Sequence, residues 1–181
     1  DSSKDSSMRM HRHLIAALAL SSISWAAQAD SPAQWQTLTR DVQISLEQAI
    51  QNATKTVPGK ALEVELDDGK GTGVRYEVQV LTPAGDSVEV WVNAADGQAR
   101  LHANDGPAKR KDAQRAEQAK IDMSKAIQAA TAHTPGKAVK AELDNHWGTV
   151  TYQVDVLQPD FTVMEIKVDA ANGQVLRAKK D

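Results

Sequence analysis

Residues 44–73, ISLEQAIQNATKTVPGKALEVELDDGKGTG, return at residues 121–150 as IDMSKAIQAATAHTPGKAVKAELDNHWGTV. The stretches that follow return as well: YEVQVLTPAGDSVEVWVNAADGQARL from Tyr76 matches YQVDVLQPDFTVMEIKVDAANGQVLR from Tyr152. The second copy lacks one residue, in the turn before Tyr152, and a hairpin turn is where a duplicated unit tolerates such a change best. The period of roughly 75 residues is longer than the roughly 20 to 50 of solenoid units, so the chain reads as two similar domains.

Within each copy the hydrophobic period changes from helical to alternating. Val42, Leu46, Ala49, Ile50, Ala53 and Val57 fall on one face of a helix. Ser45 with Gln48 three residues later forms a capping-box start, and Pro58-Gly59 a stop. In the second copy Asp122 takes the cap position and Pro135-Gly136 the stop. Three alternating runs follow: Leu62/Val64/Leu66, Val74/Tyr76/Val78/Val80 and Val88/Val90/Val92, with Glu63, Glu65, Arg75, Glu77 and Glu89 on the opposite face. Period-2 alternation means one buried and one wet face, as in an antiparallel meander. Asp67 to Gly71 and Pro83 to Asp86 are turn sequences between the runs. The expected fold class is α+β: two repeated α-β-β-β modules, each an antiparallel meander sheet covered by one helix.

Around the repeats the chain divides further. Arg9, His11, Arg12 and His13, an apolar run from Leu14 to Ile23, and Ala27-Gln28-Ala29 make the three-part pattern of a secretory signal peptide cleaved after Ala29. The apolar run is shorter than the ~20 residues that span a bilayer, so a membrane anchor is the weaker reading. Residues 1–7 precede the first methionine and are set aside with the signal as residues 1–29. Residues 30–41 form an N-terminal lead, in which Trp35 is expected to dock the new N-terminus, 42–101 the first repeat, and 102–119 a partly helical linker. In it Asn104 to Pro107 marks a break, and Lys109 to Lys120 is expected to lengthen the second helix. Residues 120–181 form the second repeat. The expected location is the periplasm, with no stable membrane insertion once the signal is removed.

The order helix, Pro-Gly-Lys-Ala, acidic strand, Tyr-x-Val-x-Val, turn, and a strand ending Val-Asn-Ala-Ala-Asp-Gly-Gln (residues 92–98) or Val-Asp-Ala-Ala-Asn-Gly-Gln (168–174) resembles the PepSY domain family. The resemblance covers both copies, hence most of the chain after the signal. PepSY domains occur in the propeptides of thermolysin-like metallopeptidases and in free-standing exported bacterial proteins. The resemblance therefore implies peptidase inhibition or regulation in the cell envelope. No His-Glu-x-x-His motif follows the repeats, so any inhibition acts in trans, and the family brings no catalytic residues to carry over.

Apart from this resemblance, the residues carry few signs of chemistry. A net charge of −3 argues against nucleic acid as a partner, because phosphate binding needs clustered cations. The absence of cysteine removes disulfides and thiolate chemistry. His102, His133 and His146 are too scattered for a helical metal site, and the Asp67-Asp68 turn lacks the further ligands of a calcium loop. No cofactor is expected. Glu63 and Glu65 read as a solvated acidic face rather than an acid/base pair.

The residues that fit this reading least are aromatic. Trp91 alternates outward with Glu89 and Asn93, and its counterpart in the second copy is Lys167. Exposed aromatics on polar sheet faces mark interfaces, although Trp91 could equally pack on the linker or the other copy. Trp147 and Phe161 lie in or beside the two turns of the second copy, where they could form a binding tip or fold back on the sheet. Trp91, Glu89, Trp147 and Phe161 are therefore the partner-binding candidates. Three classes stay open: a non-catalytic module binding a protein such as a peptidase or sensor ectodomain, a binder of small molecules or peptides in a cleft between the repeats lined by Trp91 or Trp147, and an enzyme, for which no convergent polar cluster is visible.

Overall fold

The computed structural model describes residues 31–181, so the expected signal segment lies outside the described residues. Helix α1 spans Pro32–Thr39, α2 Leu46–Thr56, α3 Arg110–Gln118 and α4 Met123–His133. The strands are β1 Lys60–Asp67, β2 Arg75–Leu81, β3 Asp86–Asn93, β4 Ala99–Pro107, β5 Lys137–His146, β6 Thr149–Leu157, β7 Val163–Asp169 and β8 Val175–Lys180. They form one antiparallel eight-stranded sheet in the order β4-β3-β2-β1-β5-β6-β7-β8.

The main helices start and stop where their sequence dictates. Ser45 and Gln48 form the reciprocal capping box of α2, and the Asp122 carboxylate accepts from the Lys125 amide at α4. Val42 lies outside α2, which begins only at Leu46. After each helix the chain turns through Pro-Gly. A Cβ built on Gly59 would stand 2.2 Å from the Leu81 carbonyl oxygen, and one on Gly136 2.3 Å from that of Leu157. Only glycine lets each first strand enter so close beside the second.

Each repeat then pins its helix entry by the same three devices. The Ile44 and Ile121 amides donate to the carbonyls of Ala94 and Ala170. The Ala94 and Ala170 amides donate to Val74 and Val150. The Tyr76 and Tyr152 hydroxyls donate to the Ile44 and Ile121 carbonyls at 2.8 and 2.9 Å. Burial pushes both phenols up to about 12, so they stay neutral donors.

The α+β meander architecture stands, with each unit one strand and one helix larger than the hydrophobic pattern suggests. Residues 102–107, expected in a linker, belong to β4, and β8 is its equivalent. Both are edge strands whose residues are mostly exposed, so neither carries the apolar alternation by which a strand is recognised. Lys109 to Lys120 does not lengthen the second helix. Ala119 leaves α3 in an extended conformation, and the Lys120 and Ile121 amides bond to Ala170 instead. The helix α1 of the first repeat lays Trp35 and Leu38 against the core.

The two modules share that core. Leu46, Ile50, Val64, Val78, Val90, Ile127, Val154 and Ile166 belong to one buried cluster beneath α2 and α4. The modules meet at β1 and β5, where Glu63 faces Glu142, Val64 faces Ala141 and Glu65 faces Lys140. In the repeat alignment Val64 corresponds to Ala141, Glu63 to Lys140 and Glu65 to Glu142. The seam is therefore a pseudo-two-fold contact, the geometry of an isologous dimer written into one chain.

Candidate functional site

The sheet face away from α2 and α4 carries the charged alternation. In the first repeat Glu63, Glu65, Glu77, Gln79 and Glu89 line a shallow groove of about 160 Å³. Trp91 stands beside it with both ring faces occupied: the Arg75 guanidinium lies 3.6 Å from the ring centroid, and His102 stacks at 3.5 Å between centroids. Its indole Nε1 donates to Glu89 Oε1 at 2.7 Å. Arg75 is itself held by Glu77 at 2.8 Å and Asp67 at 3.5 Å. Trp91 and Glu89 are thus committed to one another and to β2 and β4. His102, expected in a linker, sits at an irregularity in the β3–β4 ladder that turns its ring onto Trp91.

The equivalent outer position in the second repeat is Lys167, only 7% exposed. Its ammonium donates to Gln153 at 3.1 Å and lies 3.9 Å from Asp144. Nearer the seam, Lys140 faces Glu65 on one side and Asp155 on the other. Burial pushes the Asp155 carboxyl up to about 6 against the pull of Lys140, and its Oδ1 is enclosed without a hydrogen-bond partner. Helix α3 crosses the seam: Lys60 Nζ donates to the Ala116 carbonyl at 3.2 Å, and Arg115 reaches Asp144 at 3.9 Å.

The two turn aromatics part company. Phe161 has φ 62 and is half-buried, packed against the core. Trp147 has φ 53, is followed by Gly148 at φ 82, and is 91% exposed. Two consecutive positive φ values make the tight two-residue hairpin turn for which Asn-Gly is the favoured pair. Asn145 Oδ1 fixes the turn by accepting from the Gly148 amide at 3.0 Å, and His146 meets the indole edge-on at 5.9 Å. Phe161 therefore does not join Trp147 in one tip, and Trp91 lies on a different part of the sheet.

On the helix side a cleft of about 550 Å³ lies between the repeats, with Ile50, Leu62, Ala116, Ile121, Leu143 and Tyr152 in its wall. Neither Trp91 nor Trp147, the residues expected to line such a cleft, is part of it. Among the described residues no three His, Asp or Glu side chains gather as metal ligands. Alternation shows which face the seam carboxylates take but not which strand they meet.

The PepSY profile, described as "Peptidase propeptide and YPEB domain", matches residues 43–100 and 120–179. The chain belongs to the PepSY family. Its two matched segments carry α2 with β1 to β3, and α4 with β5 to β8. No curated protein matches the chain in sequence. Among solved structures, it is similar to a candidate lipoprotein of Clostridium difficile 630, at 17% identity and a TM-score of 0.45, over 80% of this chain and 97% of that one. It is also similar to the YpmB protein of Bacillus subtilis, at 18% identity and a TM-score of 0.35, over 77% of this chain and 99% of that one. Among the described residues no helix is long and apolar enough to cross a membrane.

Proposed function

We propose that this PepSY protein is a non-catalytic periplasmic module that binds another protein, acting in trans on a peptidase or on the outer domain of an envelope sensor, with Trp147 as its anchor. The observation that carries the proposal is the cost of Trp147. A bulky side chain with positive φ is strained by about 1 kcal/mol, and at 91% exposure this one recovers nothing from burial within its own chain. Strain kept without a local return is characteristic of binding positions, and tryptophan is a leading hot-spot residue. The hydrogen-bonded turn holds the backbone that carries the indole, so less backbone freedom is lost on docking.

The test is capture of proteins from periplasmic extract on the wild type, Trp147→Ala and Trp91→Ala, followed by titration of any retained peptidase to measure residual activity. Retention of a peptidase or sensor domain by wild type and Trp91→Ala but not by Trp147→Ala is the expected result. Equal retention by all three removes Trp147 from the interface. A second reading, a small molecule or peptide held between the repeats, is favoured by the 550 Å³ cleft. It expects a ligand seen by native mass spectrometry whose binding is indifferent to Trp147→Ala.

A further inference from the structure

The seam is the shortest ladder in the sheet, three facing residue pairs against five to nine elsewhere. At one end of it Glu63 and Glu142 stand directly opposite each other, where like charges destabilise a sheet. The pseudo-two-fold contact at the other end, Glu65 with Lys140, pairs opposite charges. Lys140 attracts Glu65, Glu142 and Glu63, but it is shared, since Asp155 faces it from β6.

Helix α3 closes over the same end. A polar cavity of about 350 Å³ separates it from Glu63 and Glu142. From α3, Asp112 adds a further negative charge, while Arg115 is engaged by Asp112 at 3.6 Å and by Asp144 at 3.9 Å. Lys109 and Lys111 also line the cavity, yet neither comes within 4.0 Å of a carboxylate among the described residues. From β2 and β3 the cavity meets only the uncharged Gln79 and Ser87. Glu77 lies further along the outer face beside Glu65, tied to Arg75. The Glu63–Glu142 pair thus lies in a cavity wall, opposed by like charge, with Lys140 divided between it and Asp155.

We propose that the seam is a proton-controlled hinge: protonation of Glu63, opposite Glu142, closes β1 on β5 as pH falls toward the ordinary carboxylate range, and loss of that proton as pH rises loosens the coupling between the repeats. Burial, reinforced by Glu142, Glu65 and Asp112, holds the Glu63 carboxyl above its ordinary range despite the pull of Lys140. A group raised in the folded state adds stability that is complete below its ordinary value and is lost as pH rises through the raised one. The seam therefore tightens on mild acidification, opposite to the usual trend for paired carboxylates. A periplasmic protein shares the pH of its surroundings, so the hinge would respond to external acid, whatever the protein binds.

Hydrogen exchange of the intact protein tests this, with amides of Glu63 to Glu65 and Lys140 to Glu142 followed at pH 5 and 7.5 and corrected for intrinsic rates. The β6–β7 ladder serves as internal reference. Seam protection relative to that ladder should be about two- to fivefold higher at pH 5. Glu63→Gln, and independently Glu142→Gln, should give high protection at both pH values. Asp155→Asn should leave the seam's response in place. A wild-type seam indifferent to pH overturns the proposal, as does a response that survives both glutamine variants or disappears with Asp155→Asn.

Discussion

Gly85 in the first repeat and Phe161 in the second occupy the same place in the same turn. Their φ angles are 89° and 62°, and their amides donate to Thr82 and Gln158, each at 2.9 Å. Lys70 and Trp147 are likewise aligned, at φ 49° and 53°, each followed by a glycine at 88° and 82°. Both turns of the second repeat thus put an aromatic ring on a left-handed backbone where the first repeat has a glycine or a lysine. The difference between the two substitutions is instructive. Phe161 offsets its strain by packing on the core, whereas Trp147 points into solvent. Backbone geometry is inherited from the duplication; what each copy gained on that geometry has to be read from burial.

The largest effect we expect tests how far the repeats are still one body. Gly59→Ala and Gly136→Ala each drive a methyl group into a neighbouring carbonyl, and each should cost about 3 kcal/mol. With a single core running through both modules, either variant should lower one shared unfolding transition by the same amount in calorimetry. Two separate transitions, with only the mutated half shifted, would break the picture of a shared core.

A smaller pair of effects, opposite in sign, separates the two turns. Phe161→Gly relieves strain but removes buried ring surface, for a net loss of about 1.5 kcal/mol in denaturant unfolding. Trp147→Asn restores the residue that its turn prefers and should gain about 1 kcal/mol while abolishing partner capture. A loss of stability in the second variant would mean that the indole supports the fold, and the case for it as an anchor would fall.

Much of this architecture is legible in the sequence, and the limits follow from physics. The repeats, the capping residues Ser45 and Asp122, the Pro-Gly stops and the inward and outward faces of the six central strands are all local or periodic signals. Strands β4 and β8 are missed because an edge strand need not bury a face. The break at Ala119 is missed because nothing in an alanine-rich, charged segment marks where tertiary hydrogen bonds to Ala170 end the helix. For the candidate site, alternation places Trp91 on the outer face, yet only the folded structure brings Arg75 and His102 over the two sides of its ring. Trp147 and Phe161 look alike as turn aromatics, and they differ only in what surrounds them. The seam charges are invisible in the sequence for a sharper reason: which residue faces Glu63 depends on how two distant strands register.

That register supplies the smallest and most discriminating prediction. If the seam descends from a two-fold contact between identical modules, the two outer positions beside the axis alternate as Glu63 and Glu65 in one copy and Lys140 and Glu142 in the other. A pair built only from the second copy's residues would place Lys opposite Glu on both sides of the axis; one built only from the first copy's would place Glu opposite Glu twice. The present chain holds one arrangement of each kind. Glu63→Lys should complete the favourable set and raise stability at pH 7.5 by about 0.5 kcal/mol, with no gain from the same change at exposed Glu65, which already faces Lys140. Lys140→Glu should be destabilising by at least as much, because it leaves four carboxylates along three facing pairs. Restoring the exchange in the double variant Glu63→Lys/Lys140→Glu should return stability to near the wild-type value, since it only moves the single favourable pair to the other side of the axis. A double variant as unstable as Lys140→Glu alone would show that the two sides are not equivalent and that α3, with Asp112 over one side only, rather than the two-fold register, sets the charge preference of the seam.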